Sequence, residues 1–277
     1  MPSTDPVLPD DPIVGIVGVG VVGGVLRRWF AEEGPLRPRL ALYDKHTGVG
    51  SVAEVDKADV VFVCVPTPRG GPHGLDDTAV VEALEILTGE PIVVIRSTVL
   101  PGSARRYQER FPRLRIASCP EFLRARSAWS DFADPTLQIV GCDDTRLGEA
   151  ILGLLPAARS ARVVSPDEAE MAKLFVNVFL AVKLTLANEI FDVCTALGID
   201  YDVVRSIVAG DDRVHESHLD VTRGIAEFGR RGYSGACLPK DAAAFIDFAT
   251  SLGVAVDVIA AADEVNARYG AAPDATV

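Results

Sequence analysis

The feature that most constrains the fold is a glycine-rich turn between an apolar run and an amphipathic stretch. The run is Ile13–Val17, and Gly18, Gly20 and Gly23 follow it in the spacing GxGxxG, before a helical pattern over Val25–Glu33. In such a segment Gly18 permits a tight turn, Gly20 lets the backbone approach a pyrophosphate, and Gly23 lets helix and strand pack closely. The pattern therefore predicts a strand–turn–helix unit that binds a dinucleotide at the helix N-terminus.

An acidic residue ends the next apolar run, Leu40–Tyr43. Asp44 stands where a carboxylate bonds the ribose hydroxyls of adenosine. Because that carboxylate repels a 2′-phosphate, NAD is favoured over NADP, although the neighbouring Lys45 slightly weakens the preference. We predict NAD as the cofactor. The predicted cofactor-binding residues are Gly18, Gly20, Val21, Val22, Gly23, Asp44, Lys45, Val65, Pro66, Thr67, Ser97 and Thr98.

Apolar β-branched runs then alternate with helical stretches. The strand candidates are Val60–Val65, Ile92–Arg96, Arg115–Cys119, Leu137–Gly141 and Arg162–Val164, and the helical ones include Thr78–Leu87 and Arg146–Leu155. This alternation predicts an α/β fold, a Rossmann-type doubly wound parallel sheet with helices on both faces. We expect a disordered lead over 1–11 and the Rossmann domain over 12–164. Its site should lie in the loops after the strands, where Thr98 and Glu121 are either reactive groups or ordinary turn residues.

The second half of the chain is predicted to be a helical domain, 165–277, with one long spine helix. Ser165 to Glu168 form a capping box with proline at the first helical position, and no glycine or proline follows until Gly198. The implied helix over 166–197 is about 48 Å long, which suits a spine between domains or a dimer interface. Lys173 and Asn177 lie four residues apart and share one face of it. Lys173 is either a base or oxyanion partner, or a solvated lysine on the outer face.

The most unusual segment is GYSGACLPKD, which ends at Asp241 and precedes a predicted helix over Ala242–Leu252. Cys237 there lies close to a helix N-terminus and to Lys240, and both favour the thiolate. Asp241 is placed to handle a proton or to orient a neighbour. A buried, inert cysteine is the alternative, which the surrounding glycine, proline and charged residues make less favourable.

Composition excludes several other classes. A net charge of −12 over 277 residues opposes binding to nucleic acid or to an anionic membrane. The acidic, proline-rich N-terminus does not resemble a signal peptide, and we expect no apolar run long enough to span a bilayer. Five cysteines without regular spacing or a CxxC pair indicate reduced thiols and no zinc site. We therefore expect a cytoplasmic protein without a metal.

Several motifs occur together in one family's order and cover most of residues 13–266: GVGVVG, VFVCVPTP, STVLPG, PEFLRARSAWSDF, AEMAKLFVN, NE, DDRV and GYSGACLPKD. With them the chain resembles the UDP-glucose/GDP-mannose dehydrogenases, the nucleotide-sugar 6-dehydrogenases. The resemblance implies an NAD-dependent oxidation of a primary alcohol of a nucleotide sugar to a carboxylate, with two NAD⁺ per substrate.

The resemblance also implies roles for individual residues. Cys237 would capture the aldehyde as a thiohemiacetal that becomes a thioester. Lys173 and Asn177 would stabilise the oxyanion, and Asp241 would assist proton transfer. Thr98 would hold a water, and Glu121 would act as acid or base in thioester hydrolysis. Arg213 would reach the substrate site of a second subunit, which implies a homodimer around the long helix. The predicted substrate-binding residues are Glu121, Phe122, Leu123, Lys173, Asn177, Arg213, Tyr233 and Gly235.

The chain departs from the family pattern in three places. It is expected to be a short member without the C-terminal UDP-binding domain. The connection Lys45–Lys57 is much shorter than usual, and Ala125 and Arg126 replace a glutamate and a glycine of the family's PEFLxEG. We therefore expect the substrate to be a nucleotide sugar or a smaller phosphorylated sugar or alcohol.

Three alternative functions stay open. A two-electron dehydrogenase of the β-hydroxyacid type shares the architecture and the lysine and asparagine four apart, but it does not need Cys237. Oxidation could also stop at the aldehyde. A non-catalytic NAD-binding partner protein is the third alternative.

Overall fold

The computed structural model describes residues 7–71 and 74–270. The chain divides into two compact units. The first unit comprises Met1–Pro68 and Asp76–Lys173, and the second comprises Arg69–Leu75 and Leu174–Val277. Residues 1–6 of the predicted lead lie outside the described residues. Within the rest of the lead, Val7 and Leu8 pack against the core of the first unit.

One mostly parallel sheet forms the centre of the first unit. Its strands are β1 (Ile13–Val17), β2 (Arg39–Asp44), β3 (Val49–Gly50), β4 (Val60–Val63), β5 (Ile92–Ile95), β6 (Arg115–Ser118), β7 (Leu137–Gly141) and β8 (Ser160–Val164). Their order across the described residues is β3-β2-β1-β4-β5-β6-β7-β8. The predicted α/β Rossmann-type fold is confirmed.

Helices cover this sheet. They are α1 (Val21–Arg28), which continues as a π-helical turn (Trp29–Glu33), α2 (Val52–Val55), α3 (Thr78–Glu85), α4 (Ser103–Arg110), α5 (Ala128–Ala133) and α6 (Thr145–Leu154). Successive strand side chains point to opposite faces, so Val60 and Phe62 join one core layer while Val61 and Val63 join the other. Both layers are apolar, because each face of a parallel sheet is buried. The predicted start of α1 at Val25 is wrong by four residues, since the glycine-rich turn leads directly into Val21.

Two strand pairs are antiparallel, which corrects the expectation of a wholly parallel sheet. β3 pairs with β2 through a tight hairpin, where the Asp44 carboxylate accepts the N–H groups of His46 and Thr47. Gly50 in this hairpin has φ +68°. β7 meets β6 through a single pair, Ser118 with Gly141. Strand direction here was not predictable, because the alternation of apolar runs and helices does not encode it.

The second unit is helical. The long helix α7 (Pro166–Leu197) has the predicted bounds, and it begins in the first unit and continues into the second. Its predicted capping box is present, because the N–H and Oγ of Ser165 each lie 2.8 Å from Glu168 Oε2. The helices that follow are α8 (Tyr201–Val208), α9 (Thr222–Phe228), α10 (Leu238–Ser251) and α11 (Asp257–Gly270).

The predicted start of α10 is wrong. This helix begins at Leu238 rather than Ala242, because proline is well accommodated in a first helical turn.

The expectation that no apolar run is long enough to span a bilayer is also wrong. Among the described residues, α7 is long and apolar enough by length and composition to cross a membrane, with a mean hydropathy of 1.6 in its most apolar window. Those two properties are weak grounds for a membrane span, since the core helix of a soluble protein has them too.

Candidate functional site

The glycine-rich turn has the geometry that the sequence predicts. Gly18 has φ +87°, and a Cβ there would lie 2.6 Å from the carbonyl oxygen of Cys64. A Cβ at Gly23 would lie 1.9 Å from the Gly18 carbonyl oxygen, so any side chain would push α1 away from the turn. A Cβ at Gly20 would meet no atom within 4 Å, which leaves space beside the backbone for a ligand.

A cavity of about 450 Å³ opens beside this turn. It is lined by several of the predicted cofactor-binding residues, namely Gly18, Gly20, Asp44, Lys45, Val65 and Pro66. His46, Glu82 and Ile86 complete much of its wall. Its position at the N-terminus of α1 and the open space at Gly20 fit a dinucleotide. These residues would hold the adenosine and pyrophosphate of NAD.

Asp44 is fixed as an anion at this cavity. One carboxylate oxygen accepts the N–H of Val19 at 2.8 Å, and the other accepts those of Thr47 at 2.9 Å and His46 at 3.0 Å. These hydrogen bonds, led by that from Val19, lower the pKa of Asp44 to about 2. Lys45 Nζ lies 2.6 Å from Glu82 Oε2, so its charge faces a carboxylate. The local charge thus favours a ribose hydroxyl over a 2′-phosphate.

The loops after β4 and β5 are joined by side-chain hydrogen bonds. Ser97 Oγ donates to the Val65 carbonyl at 2.7 Å, and Thr67 Oγ1 donates to the Thr98 carbonyl at 2.6 Å. The fold therefore brings together the predicted cofactor residues of both loops. Thr98 itself is half-buried.

Glu121 and Lys173 form a shielded ion pair in the first unit. Lys173 Nζ lies 3.2 Å from Glu121 Oε1, and the other carboxylate oxygen accepts the Leu123 N–H at 2.5 Å. The ammonium also lies 5.5 Å from the centre of the Phe122 ring. Lys173 is 4% exposed, which excludes the alternative of a solvated lysine on the outer face.

Cys237 is exposed and occupies the N-cap position of α10. Asp241 lies one turn further along the same helix and is fully buried. One of its carboxylate oxygens accepts a hydrogen bond from Asn177 Nδ2 and the other accepts one from Lys240 Nζ, each at 2.5 Å. The positive end of the α10 dipole favours a thiolate at Cys237. Exposure excludes the alternative of a buried, inert cysteine.

Two buried asparagines make hydrogen bonds to the loop before Cys237. The sequence did not predict a role for either of them. Asn266 of α11 accepts the N–H of Tyr233 at 2.8 Å and donates to its carbonyl at 3.1 Å. Asn188 of α7 accepts the Arg231 Nε at 3.1 Å and the Gly232 N–H at 3.3 Å. Their signal in the sequence is an amide within an apolar helical stretch. The loop that carries Cys237 is thus fixed from two helices.

Three predicted substrate residues of the second unit differ in their surroundings. The Tyr233 side chain is 1% exposed, and its hydroxyl donates to Asp263, so a substrate contact would fall to its backbone. Gly235 is exposed. Arg213 is also exposed, and its guanidinium pairs with Asp211 of the same chain at 2.6 Å.

Comparison with known proteins agrees with these motifs. The NAD binding domain of the UDP-glucose/GDP-mannose dehydrogenase family matches residues 45–155, and the central domain of that family matches residues 167–268. A UDP-glucose 6-dehydrogenase of Pseudomonas aeruginosa is 34% identical over 91% of this chain and 65% of its own length. The UDP-glucose 6-dehydrogenase AglM of Haloferax volcanii is 30% identical over 91% of this chain and 69% of its own length.

This chain belongs to the UDP-glucose/GDP-mannose dehydrogenase family. These are NAD-dependent dehydrogenases, so the predicted family and the cofactor NAD are confirmed. The fold agrees, because a UDP-glucose dehydrogenase from Pyrobaculum islandicum superposes with a TM-score of 0.78 at 26% identity, over 94% of this chain and 70% of that one. The chain spans about two thirds of the length of the curated relatives it matches.

Proposed function

We propose that this family member oxidises a primary alcohol of a nucleotide sugar, or of a smaller phosphorylated sugar or alcohol, to the carboxylate. The observation that carries the proposal is Cys237, an exposed thiol at the N-terminus of α10 with the buried Asp241 one turn away. A two-electron dehydrogenase of the β-hydroxyacid type needs no such thiol. The relatives named UDP-glucose 6-dehydrogenase support the substrate class.

In the proposed reaction, NAD supplies a hydride acceptor for each of two oxidations. The first oxidation converts the alcohol to an aldehyde, and Cys237 Sγ then adds to the carbonyl carbon to form a thiohemiacetal. The second oxidation removes the remaining hydrogen as hydride and leaves a thioester. Water cleaves the C–S bond, which releases the carboxylate and restores the thiol. One alcohol, one water and two NAD⁺ thus yield one carboxylate, two NADH and three protons.

The family resemblance assigns individual residues to these steps. Lys173 and Asn177 stabilise the negative oxygen that develops at the carbonyl. Asp241 assists proton transfer, Thr98 holds the water, and Glu121 acts as acid or base during thioester hydrolysis. The hydrogen bonds of Asp241 and Glu121 orient these carboxylates before a substrate binds.

Counting NADH per substrate tests the proposal. UDP-, GDP- and CMP-linked sugars and simple phosphorylated alcohols are screened for NADH formation, and the product of any positive substrate is identified by mass spectrometry. We expect two NADH per molecule and a carboxylate product. One NADH with an aldehyde would contradict the thioester step. Failure of every alcohol, while NAD still binds, would support the non-catalytic alternative.

We also propose that the protein is a homodimer through α7. Five apolar residues of this helix each have more than half of their surface exposed: Phe175, Phe179, Leu186, Val193 and Leu197. At 100° per residue these positions fall within a stripe about 40° wide. The stripe runs for roughly 33 Å along the helix. A narrow apolar stripe of this length is typical of a helix that packs against a partner.

A charge in the middle of this stripe is expected to separate the subunits. Leu186→Glu should convert a dimer to a monomer in sedimentation velocity, because burial of an unpaired carboxylate is unfavourable. Thr195→Glu is the matched control, since Thr195 is exposed on the opposite side of α7 and should leave the dimer intact. A monomeric wild type, or a dimer unaffected by Leu186→Glu, would rule out this interface.

A cytoplasmic location completes the proposal. In the part of the chain that the structure describes, the five cysteines form no disulfide with one another, as expected of a reducing compartment. On α7, the buried Lys173 and Asn177 make hydrogen bonds to other parts of the chain. These bonds support a core helix rather than a lipid-facing one.

A further inference from the structure

A buried carboxylate from α7 caps the N-terminus of α4. Glu170 is 1% exposed, and its Oε2 accepts the N–H of Gly102 at 2.7 Å and that of Ser103 at 3.2 Å. Its Oε1 accepts the N–H of Ala104 at 2.9 Å. The first N–H groups of a helix have no partner within the helix. The N-cap residue of α4, Gly102, has no side chain to fill this role, so Glu170 fills it from another helix.

The capped segment ends the loop that carries Thr98. The start of this loop is tied by Thr67, whose hydroxyl donates to the Thr98 carbonyl at 2.6 Å. Its end is tied by Glu170 at Gly102. Lys173 lies three residues after Glu170 on α7, so both lie on one side of that helix. Glu170 therefore joins the Thr98 loop to the helix turn that carries Lys173.

We infer that Glu170 is a positioning residue, which sets the place of Thr98 relative to Lys173 through its hydrogen bonds to the start of α4. The inference rests on the proposed function, in which Thr98 and Lys173 take part in the reaction. Glu170 is not itself a catalytic group in the proposed reaction, because its hydrogen bonds go to backbone N–H groups at the start of α4 and it is assigned to none of the steps.

The environment of Glu170 makes this tie sensitive to pH. Burial raises its pKa to about 7, although the N–H groups of Ala104 and Gly102 offset part of the rise. Asp167, three residues earlier on α7, raises the pKa further. Arg105 of α4 pairs with Asp167 and Asp143, so its charge is already matched. As the pH falls through about 7, Glu170 gains a proton. A protonated oxygen is a poor acceptor for N–H groups, so the cap weakens on the acid side.

Hydrogen exchange and the pH profile of kcat test the inference together. Glu170→Gln keeps the size of the side chain but places an amide N–H₂ against backbone donors. At pH 8 we expect exchange of the amides of Gly102–Ala104 to rise about tenfold, as for loss of a local cap. We expect kcat to fall about tenfold. The acid limb that we expect near pH 7 in the wild type should be absent from Glu170→Gln.

Glu168→Gln is the matched control. Glu168 lies two residues earlier on α7 and also caps a helix, but its partner is Ser165 and it is exposed. Its replacement should leave both the exchange of Gly102–Ala104 and the acid limb as in the wild type. If Glu170→Gln does not fold, Glu170→Asp serves instead. Its side chain is one methylene shorter, so the charge remains but lies further from α4, and we expect the same rise in exchange of the amides of Gly102–Ala104.

The possible failures are distinguishable. Unchanged protection of Gly102–Ala104 in a folded Glu170 variant overturns the inference, whether or not the protein turns over a substrate. An acid limb that persists in Glu170→Gln also overturns it. A wild type that forms no NADH with any alcohol overturns the proposed function instead. The exchange data then still test whether Glu170 caps α4.

Discussion

Replacement of Cys237 with alanine is expected to abolish carboxylate formation. Without the thiol the aldehyde cannot form a thiohemiacetal. The thiohemiacetal is the substrate of the second oxidation, so that oxidation does not occur. We expect kcat for acid formation to fall by more than about 10³-fold, the scale of losing a covalent nucleophile. The NADH yield should fall from two per substrate to one at most. Mass spectrometry of the product and a count of NADH measure both effects.

A control in the same loop separates chemistry from loop disruption. The Ser234 hydroxyl is buried and has no hydrogen-bond partner among the described residues, so Ser234→Ala should retain acid formation. Thiol labelling adds a test that needs no substrate. Cys237 should react with iodoacetamide faster than the other four cysteines, because it is exposed and lies at a helix N-terminus. Carboxylate formation by Cys237→Ala would contradict the thioester route, and slow labelling would contradict an activated thiol.

The second large effect is expected for Lys173→Met. Methionine has a similar length but no charge, so the developing oxyanion loses a cation in a buried site. We expect kcat to fall about 10²- to 10³-fold, the range seen when a buried oxyanion partner is removed. The folded state should also lose about 3 kcal/mol, because the Glu121 carboxylate is left without its partner at 3.2 Å. Steady-state kinetics and urea unfolding measure the two effects separately.

Two further variants assign these losses. Glu121→Gln in the Lys173→Met background removes the unpaired charge, so the free energy of unfolding should recover. Lys183→Met is the matched control on the same helix, because Lys183 donates to the His215 carbonyl at the surface. Its kcat should stay within about twofold of wild type, as for ordinary surface changes. If Lys173→Met kept wild-type kcat, Lys173 would have a structural role only.

The most accurate sequence predictions concern features that depend on neighbouring residues. The bounds of β1, β7 and α7 were predicted residue for residue. Apolar periodicity defined the strands, and the Ser165–Glu168 capping box defined the start of α7. The steric roles of Gly18 and Gly23 were also predictable, because the strand–turn–helix order places each glycine at a known crowded point.

The errors among the secondary-structure predictions are a missed hairpin and a misplaced helix start. The short strand β3 and its antiparallel direction were not predicted, and α10 begins early because proline is accommodated in its first turn. Asp44 was predicted as a ribose ligand from its place after β2, but its contacts with Val19, His46 and Thr47 depend on the folded turn and hairpin. The exposure of Cys237 and the burial of Lys173 likewise required the packed structure.

By itself, then, the sequence determined most of the strands, the bounds of α7, the glycine-rich turn, the family and the cofactor, because each depends on short-range spacing. Only the tertiary structure decided which polar groups meet. Glu170 reaches Gly102 across 68 residues of chain, and Asn177 reaches Asp241 across 64. Both carboxylates are buried, where an unpaired polar group is unfavourable. Their partners were therefore selected by the packing of the whole chain, which no local pattern encodes.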